Sequence, residues 1–182
     1  MQPRDIGRIQ DRLINRLDRL EKRESFQRSR LFQFKMDEIH NRLSQKLLME
    51  KIIETENFSA VSAEILTGLK KAIKTSEFDF RYFVSPIRNL VPKPNPVSLY
   101  MTQYILEIVF NHPDVIDIYG TDEDIYRQID KVISQVKEEF ERTEKEVMAD
   151  LARNKNLIPG TREYEIVLHQ MLVKKVGEPQ KI

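Results

Sequence analysis

Apolar residues recur at intervals of three and four along most of this chain. In the opening stretch, RDIGRIQDRLINRLDRLEKR, Ile6, Ile9, Leu13, Leu17 and Leu20 fall within an arc of about 80° on a helical wheel. Arg4, Arg8, Arg12, Arg16, Arg19 and Arg23 fill about 120° on one side of that arc, and Asp11, Asp18 and Glu21 lie on the other. The spacing predicts a helix with apolar, basic and acidic ridges. Glu24 lands on the apolar ridge, so the pattern stops near it, and Phe26, Leu31, Phe32 and Phe34 follow as further anchors.

The same period predicts a helix near 35–50, with Met36, Ile39, Leu43, Leu47 and Leu48 on one face, and another near 58–75, with Val61, Ile65, Leu69 and Ala72. KIIETEN breaks the first from the second. FDFRYFVSPIRNL is aromatic and fits no single period. VPKPNPV places Pro92, Pro94 and Pro96 at alternate positions, a run that favours an extended connector over helical interior. Beyond it, SLYMTQYILEIVFNH reads as a helix facing inward through Tyr100, Tyr104, Ile108 and Val109, and DVIDIYG as a short strand or an extended turn. A long helix follows, with Ile125, Ile129, Ile133, Val136 and Phe140 inward. Thr121 is its expected cap, and Asp122, Glu123 and Asp124 suit the positive first turn. Thr161 caps a last helix that Gly177 stops.

The two halves resemble each other. Leu43, Leu47 and Leu48 align with Tyr104, Ile108 and Val109, and Val61, Ile65, Leu69 and Ala72 align with Ile125, Ile129, Ile133 and Val136. The expectation is a helix–connector–helix unit used twice, against the alternative that any two amphipathic helices align this way. We therefore expect an elongated all-α protein. Residues 1–35 form a basic amphipathic helix, 36–96 a first helical module and 97–182 a second.

Composition sharpens this picture. Charged residues make up 32% of the 182, which suits much surface per residue, and only 5 are Gly, which disfavours phosphate-binding loops and tight hairpins. Residues 1–35 hold ten Lys/Arg and five Asp/Glu, a balance of +5, and the remainder balances at −4. A basic arm thus precedes a mildly acidic body. The absence of Cys excludes disulfides, zinc ribbons and thiol nucleophiles. The opening residues lack the apolar run of a signal peptide, and no segment has the length of a membrane span, so we expect a cytoplasmic protein.

Chemistry-bearing patterns are sparse. His40, His112 and His169 are far apart and fit no metal-ligand spacing, and no G-x-S-x-G elbow occurs. Asp114, Asp117, Asp122, Glu123 and Asp124 lack the spacing of a calcium loop and are read as acids near a helix start. Phe78, Phe80 and Tyr82 alternate near Arg81 and Arg88, a pattern that stacks bases in some proteins and here is read as filling between helices. We therefore expect no catalytic residue, cofactor or metal.

From Leu99 to Gly177 the order of features resembles the bacterial family of domain of unknown function 507. The resemblance rests on MTQYILEIVFNHPDVIDIYG, the acidic central helix and IPGTREYEIVLHQMLVKK. Its ending motif falls on Pro159, Gly160, Thr161, Arg162, Glu163 and Tyr164, with Tyr164 in place of the Trp the pattern leads one to expect. The resemblance implies a bacterial cytosolic helical protein and implies no activity. The motif is a candidate shared surface, with Arg162 positioned to tie the last helix to an acid of EEFERTEKE.

The preferred functional reading is a non-enzymatic interaction or scaffold protein with a protein partner or self-association. Its candidate surface is Ile6, Ile9, Leu13, Leu17 and Leu20 with Arg8, Arg12 and Arg16. The rival reading is a nucleic-acid-associated protein gripping phosphates through the Arg ridge.

Overall fold

A computed structural model describes residues 30–74, 91 and 95–180. The opening helix expected over 4–23, the aromatic stretch with Phe78, Phe80 and Tyr82, and Pro92 and Pro94 lie outside the described residues.

Helix α1 spans residues 30–44 and continues as a π-helical turn, Gln45–Met49. It buries Phe32, Met36, Ile39, Leu43, Leu47 and Leu48, the last five being the face expected from the sequence. The wider π turn changes the phase of the helix, which accommodates two consecutive leucines in the core. The chain then forms β1 (Ile53–Thr55), α2 (Phe58–Lys74), α3 (Pro96–Phe110), β2 (Val115–Ile118), α4 (Asp122–Ala152) and α5 (Arg162–Val176). The division expected at residue 35 falls inside α1, which runs through it without a break.

The protein is mostly helical, as expected, with one small two-stranded sheet added to the helices. KIIETEN is more than a break, and DVIDIYG resolves to a strand. The two pair antiparallel, with Ile53 opposite Ile118, Glu54 opposite Asp117 and Thr55 opposite Val115. Both runs are rich in β-branched residues, and each is too short to hold a strand alone. Pairing supplies their hydrogen bonds, and Ile53 is fully buried beneath them. The register slips between Glu54 and Thr55, so Ile116 is left without a partner in a bulge and is 58% exposed.

Pro96 is part of α3 and not of the connector. Asn95 caps that helix by accepting the Val97 N–H at 3.0 Å, and proline suits the first helical position because its missing donor is not needed there. The inward face of α3 also differs from expectation. Leu99, Met101, Ile105, Leu106 and Val109 are buried, whereas Tyr104 and Ile108 are only partly so, and the side chain of Tyr100 is not described. The helix packs on both α2 and α4, so it is apolar around most of its circumference and a wheel has no single stripe to find.

One core takes residues from both sides of the connector. Leu43, Ile65 and Leu69 pack in the same cluster as Met101, Ile105, Ile129 and Phe140. The helices α2 and α3 approach closely at Gly68 of α2, where a Cβ would stand 3.1 Å from the Tyr104 carbonyl oxygen and 3.2 Å from the backbone of Ile105. A second cluster joins Val91, Leu99 and Tyr126, whose hydroxyl accepts the Asn95 N–H at 2.9 Å. A third gathers Val147, Leu151, Tyr164, Leu168 and Leu172 where α5 lies on the end of α4. Phe34 of α1 bridges to it, stacked on Phe140 at 6.0 Å and tilted on His169 at 5.5 Å.

Ion pairs clamp the end of the molecule where α1 begins. Arg30 binds Glu144 of α4 and, at 3.0 Å, Glu165 of α5. The tie from α5 to EEFERTEKE expected of Arg162 is made by Lys175 instead, 3.3 Å from Glu146. Arg162 is exposed at the first turn of α5 and has no ion pair among the described residues. After Gly177 the chain returns to α1, where the Gln180 N–H reaches the Gln33 carbonyl at 2.8 Å.

Candidate interaction surface

The residues proposed from sequence as an interaction surface, Ile6, Ile9, Leu13, Leu17 and Leu20 with Arg8, Arg12 and Arg16, lie outside the described residues. The motif at 159–164 is described, and its geometry accounts for most of it. Gly160 has φ +87°, in the left-handed region that favours glycine. Thr161 donates to the Ile158 carbonyl at 2.7 Å and accepts the Tyr164 N–H at 3.3 Å, so it closes the turn and caps α5 together. Tyr164 is buried in the third cluster and anchors the helix start. Pro159, Arg162 and Glu163 remain exposed beside Ile158, which is itself 64% exposed.

The structure assembles one cluster that spacing did not suggest. His40 on α1 meets Ser62 on α2, with Nε2 2.7 Å from the Ser62 carbonyl and 3.1 Å from its hydroxyl, and Ser44 lies 2.8 Å from the same hydroxyl. The carbonyl can only accept, so Nε2 carries the proton and donates to it. A nitrogen used this way cannot also take a proton from Ser62, and Ser44 is almost fully buried. The arrangement locks α1 to α2. No spacing rule links positions 40, 44 and 62, because the contact is made across two helices.

The paired connectors form the most distinctive surface. Among the described residues eight large hydrophobic side chains are exposed, and five of them, Met49, Phe58, Phe110, Ile116 and Tyr119, lie on or beside these two connectors. The segments are tied together. Tyr119 donates its N–H to the Ile52 carbonyl at 2.8 Å and its hydroxyl to Glu54 at 2.6 Å. Thr55 donates to the Asp114 carbonyl at 2.7 Å, and Asn57 to the Asp114 carboxylate at 2.9 Å. Hydrogen bonding to Glu54, and then the field of that carboxylate, push the Tyr119 hydroxyl above the ordinary tyrosine pKa.

Acids frame these apolar residues. Residues 46–57 and 107–127 hold nine Asp/Glu and three Lys/Arg. Lys46 pairs with Glu50 and Arg127 with Glu123, each at 2.6 Å. Glu54 and Asp117 stand directly opposite each other across the strand pair, a placement in which like charges repel. Asp124 completes a capping box with Thr121, accepting its N–H at 3.0 Å and its hydroxyl at 2.8 Å. The backbone hydrogen bond first, and then the hydroxyl, hold the Asp124 carboxyl below the usual range. The acids read from sequence as a helix start are thus divided between a cap and the strand pair, and they do not converge on one point. Among the described residues no group of His, Asp and Glu gathers as for a metal ion.

Among the described residues no helix is long and apolar enough to cross a membrane. Residues 98–177 match the family model described as Protein of unknown function (DUF507). The match begins in the first turn of α3 and ends at the residue that stops α5, bounds that agree with the resemblance read from Leu99 to Gly177. No curated protein and no solved structure matches the chain.

Proposed function

We propose, on the premise that residues 98–177 form a module of this family of unknown function, that the protein is a non-enzymatic cytoplasmic interaction or scaffold protein. The observation that carries the reading is the paired-connector end, where Phe58, Phe110, Ile116 and Tyr119 face solvent within an acidic frame. Isolated exposed apolar residues are ordinary, but a local concentration rimmed by polar groups is the composition of a docking surface. Its polar groups are already engaged in caps, strand pairing and turn hydrogen bonds, which suits recognition better than proton transfer. The order helix–strand–helix on each side of the connector supports reading the chain as one unit used twice.

The test is affinity capture with the full chain and with a Phe110→Ser, Ile116→Ser variant. Both positions are exposed, so the variant should melt within a few degrees of the parent. Loss of specific partners on substitution is the expected result, and an unchanged set of partners refutes the reading. The rival nucleic-acid reading draws on the Arg ridge at Arg8, Arg12 and Arg16. Retardation of random-sequence nucleic acid at physiological salt, abolished by reversing those three to Glu, would replace our reading with that one.

A further inference from the structure

We propose, building on the interaction reading above, that the paired-connector end takes a short segment of a partner protein in which arginine stands beside an apolar residue. The guanidinium lies across Glu54 and Asp117, and the apolar side chain rests on Ile116.

The exposed apolar residues run the length of the strand pair. Phe58 and Phe110 adjoin the end where Asn57 meets Asp114, Ile116 is the bulged residue between, and Tyr119 adjoins the end where it meets Ile52. Strand residues advance about 3.3 Å each, so the pair is about 10–13 Å long, the reach of three or four extended residues. Three departures from regular backbone converge here: the π-helical turn Gln45–Met49, Lys51 in the left-handed region at φ +55°, and the bulge. Such departures collect where a surface is built for recognition as well as packing.

Charge specifies the occupant. The nine acids of residues 46–57 and 107–127 meet three Lys/Arg, of which Lys46 and Arg127 are already paired with Glu50 and Glu123. Glu54 and Asp117 stand directly opposite each other, which puts their side chains on one face with Cβ atoms about 4.5–5.5 Å apart. A single donor orients each carboxylate. Glu54 Oε2 accepts the Tyr119 hydroxyl at 2.6 Å, and Asp117 Oδ1 accepts the Ile118 N–H at 2.8 Å. The other oxygens, Glu54 Oε1 and Asp117 Oδ2, accept no hydrogen bond among the described residues. Two like charges held this way repel until a cation lies across them. A guanidinium fits because its fork of donors reaches two acceptors at once and its flat face stacks on an aromatic ring, here Tyr119. An ammonium offers a point charge without the fork, which selects arginine over lysine.

The experiment selects phage-displayed random heptapeptides on the immobilised full chain and measures the enriched peptides, made synthetically, by fluorescence anisotropy. Arginine next to an aliphatic or aromatic residue should dominate the selected set. Citrulline in place of that arginine keeps the shape and loses the charge, and should weaken binding at least ten-fold. Glu54→Gln with Asp117→Asn keeps an acceptor oxygen for Tyr119 and for Ile118, so this variant should melt no lower than the parent while losing the peptide by the same ten-fold. Glu138→Gln with Glu141→Gln, an equal change of charge far along α4, should leave affinity unchanged. Selected peptides without arginine, or arginine peptides that bind the Glu54→Gln, Asp117→Asn variant as tightly as the parent, would overturn the proposal. Loss of those same peptides on Phe110→Ser with Ile116→Ser would then leave the interaction reading standing. No enrichment over a blank surface, or peptides indifferent to both pairs of substitutions, would sink both. A dimer in sedimentation equilibrium that Glu54→Gln with Asp117→Asn dissolves would make a second copy the occupant and overturn the partner proposed.

Discussion

Replacing Gly68 tests whether α2 and α3 meet as closely as the structure places them. Gly68 sits in the interior of α2, where Gly→Ala on an ordinary exposed face stabilises a helix by about 1 kcal/mol. Here the added methyl would stand 3.1 Å from the Tyr104 carbonyl oxygen and 3.2 Å from the Cα and N of Ile105. Ordinary carbon contacts lie at about 3.5–4.0 Å, so the helices must part by a few tenths of an ångström. The obstructing atoms are backbone, and Ile65, Leu69 and Ile105 around them have no exposed surface, so no side chain can swing aside. Overpacking of this kind costs about 1–3 kcal/mol, which equals or exceeds the propensity gain. Gly68→Ala should therefore be neutral to about 2 kcal/mol destabilising, and Gly68→Val clearly worse. Urea unfolding followed by circular dichroism reads this directly, and each kcal/mol corresponds to about 2–4 °C in melting temperature for a chain of this size. A Gly68→Ala protein more stable by the full propensity gain, with Gly68→Val folding normally, would show that the helices do not close at this point.

Ile65→Ala removes a fully buried side chain from the shared core and should cost about 2–5 kcal/mol, whereas a loss below 1 kcal/mol in urea unfolding would place Ile65 outside it. Because folding lowers the Asp124 pKa, its contribution is fully present above the unfolded value of about 4 and fades as pH falls through the folded value. Asp124→Ala should thus be less stable than the parent at pH 7, with the gap narrowing on acidification, and a gap that widens on acidification contradicts the sign. A fragment of residues 97–182 leaves Met101, Ile105, Leu106 and Val109 without Ile65 and Leu69, so it should melt well below the full chain, and equal melting temperatures would refute a shared core. Thr161→Ala should cost about 1 kcal/mol through the lost α5 cap, read by thermal melting, and no change would show that the turn closes without it.

Much of the local structure was legible in the chain. The inward faces of α1, α2 and the first half of α4, the Thr121 and Thr161 caps and the stop at Gly177 depend on side chains a few residues apart, and helical geometry fixes what such neighbours can do. The strand pair was not, because residues 53–55 and 115–118 acquire strand structure only from each other. The face of α3 was ambiguous because two neighbours cover it, and the His40–Ser62–Ser44 lock was invisible because it joins separate helices. The tie from α5 to α4 was assigned to Arg162, whereas helix packing brings Lys175 to Glu146. The candidate surface follows the same division: its acids and apolar residues are plain in the sequence, but lie more than fifty residues apart. The sequence by itself determined the helical periods, their caps and the charge of each segment, since these rest on interactions within one or two turns. Only tertiary structure decided which connectors pair, which helix faces are covered and which apolar residues stay in solvent, since those outcomes depend on contacts between distant segments that no local pattern encodes.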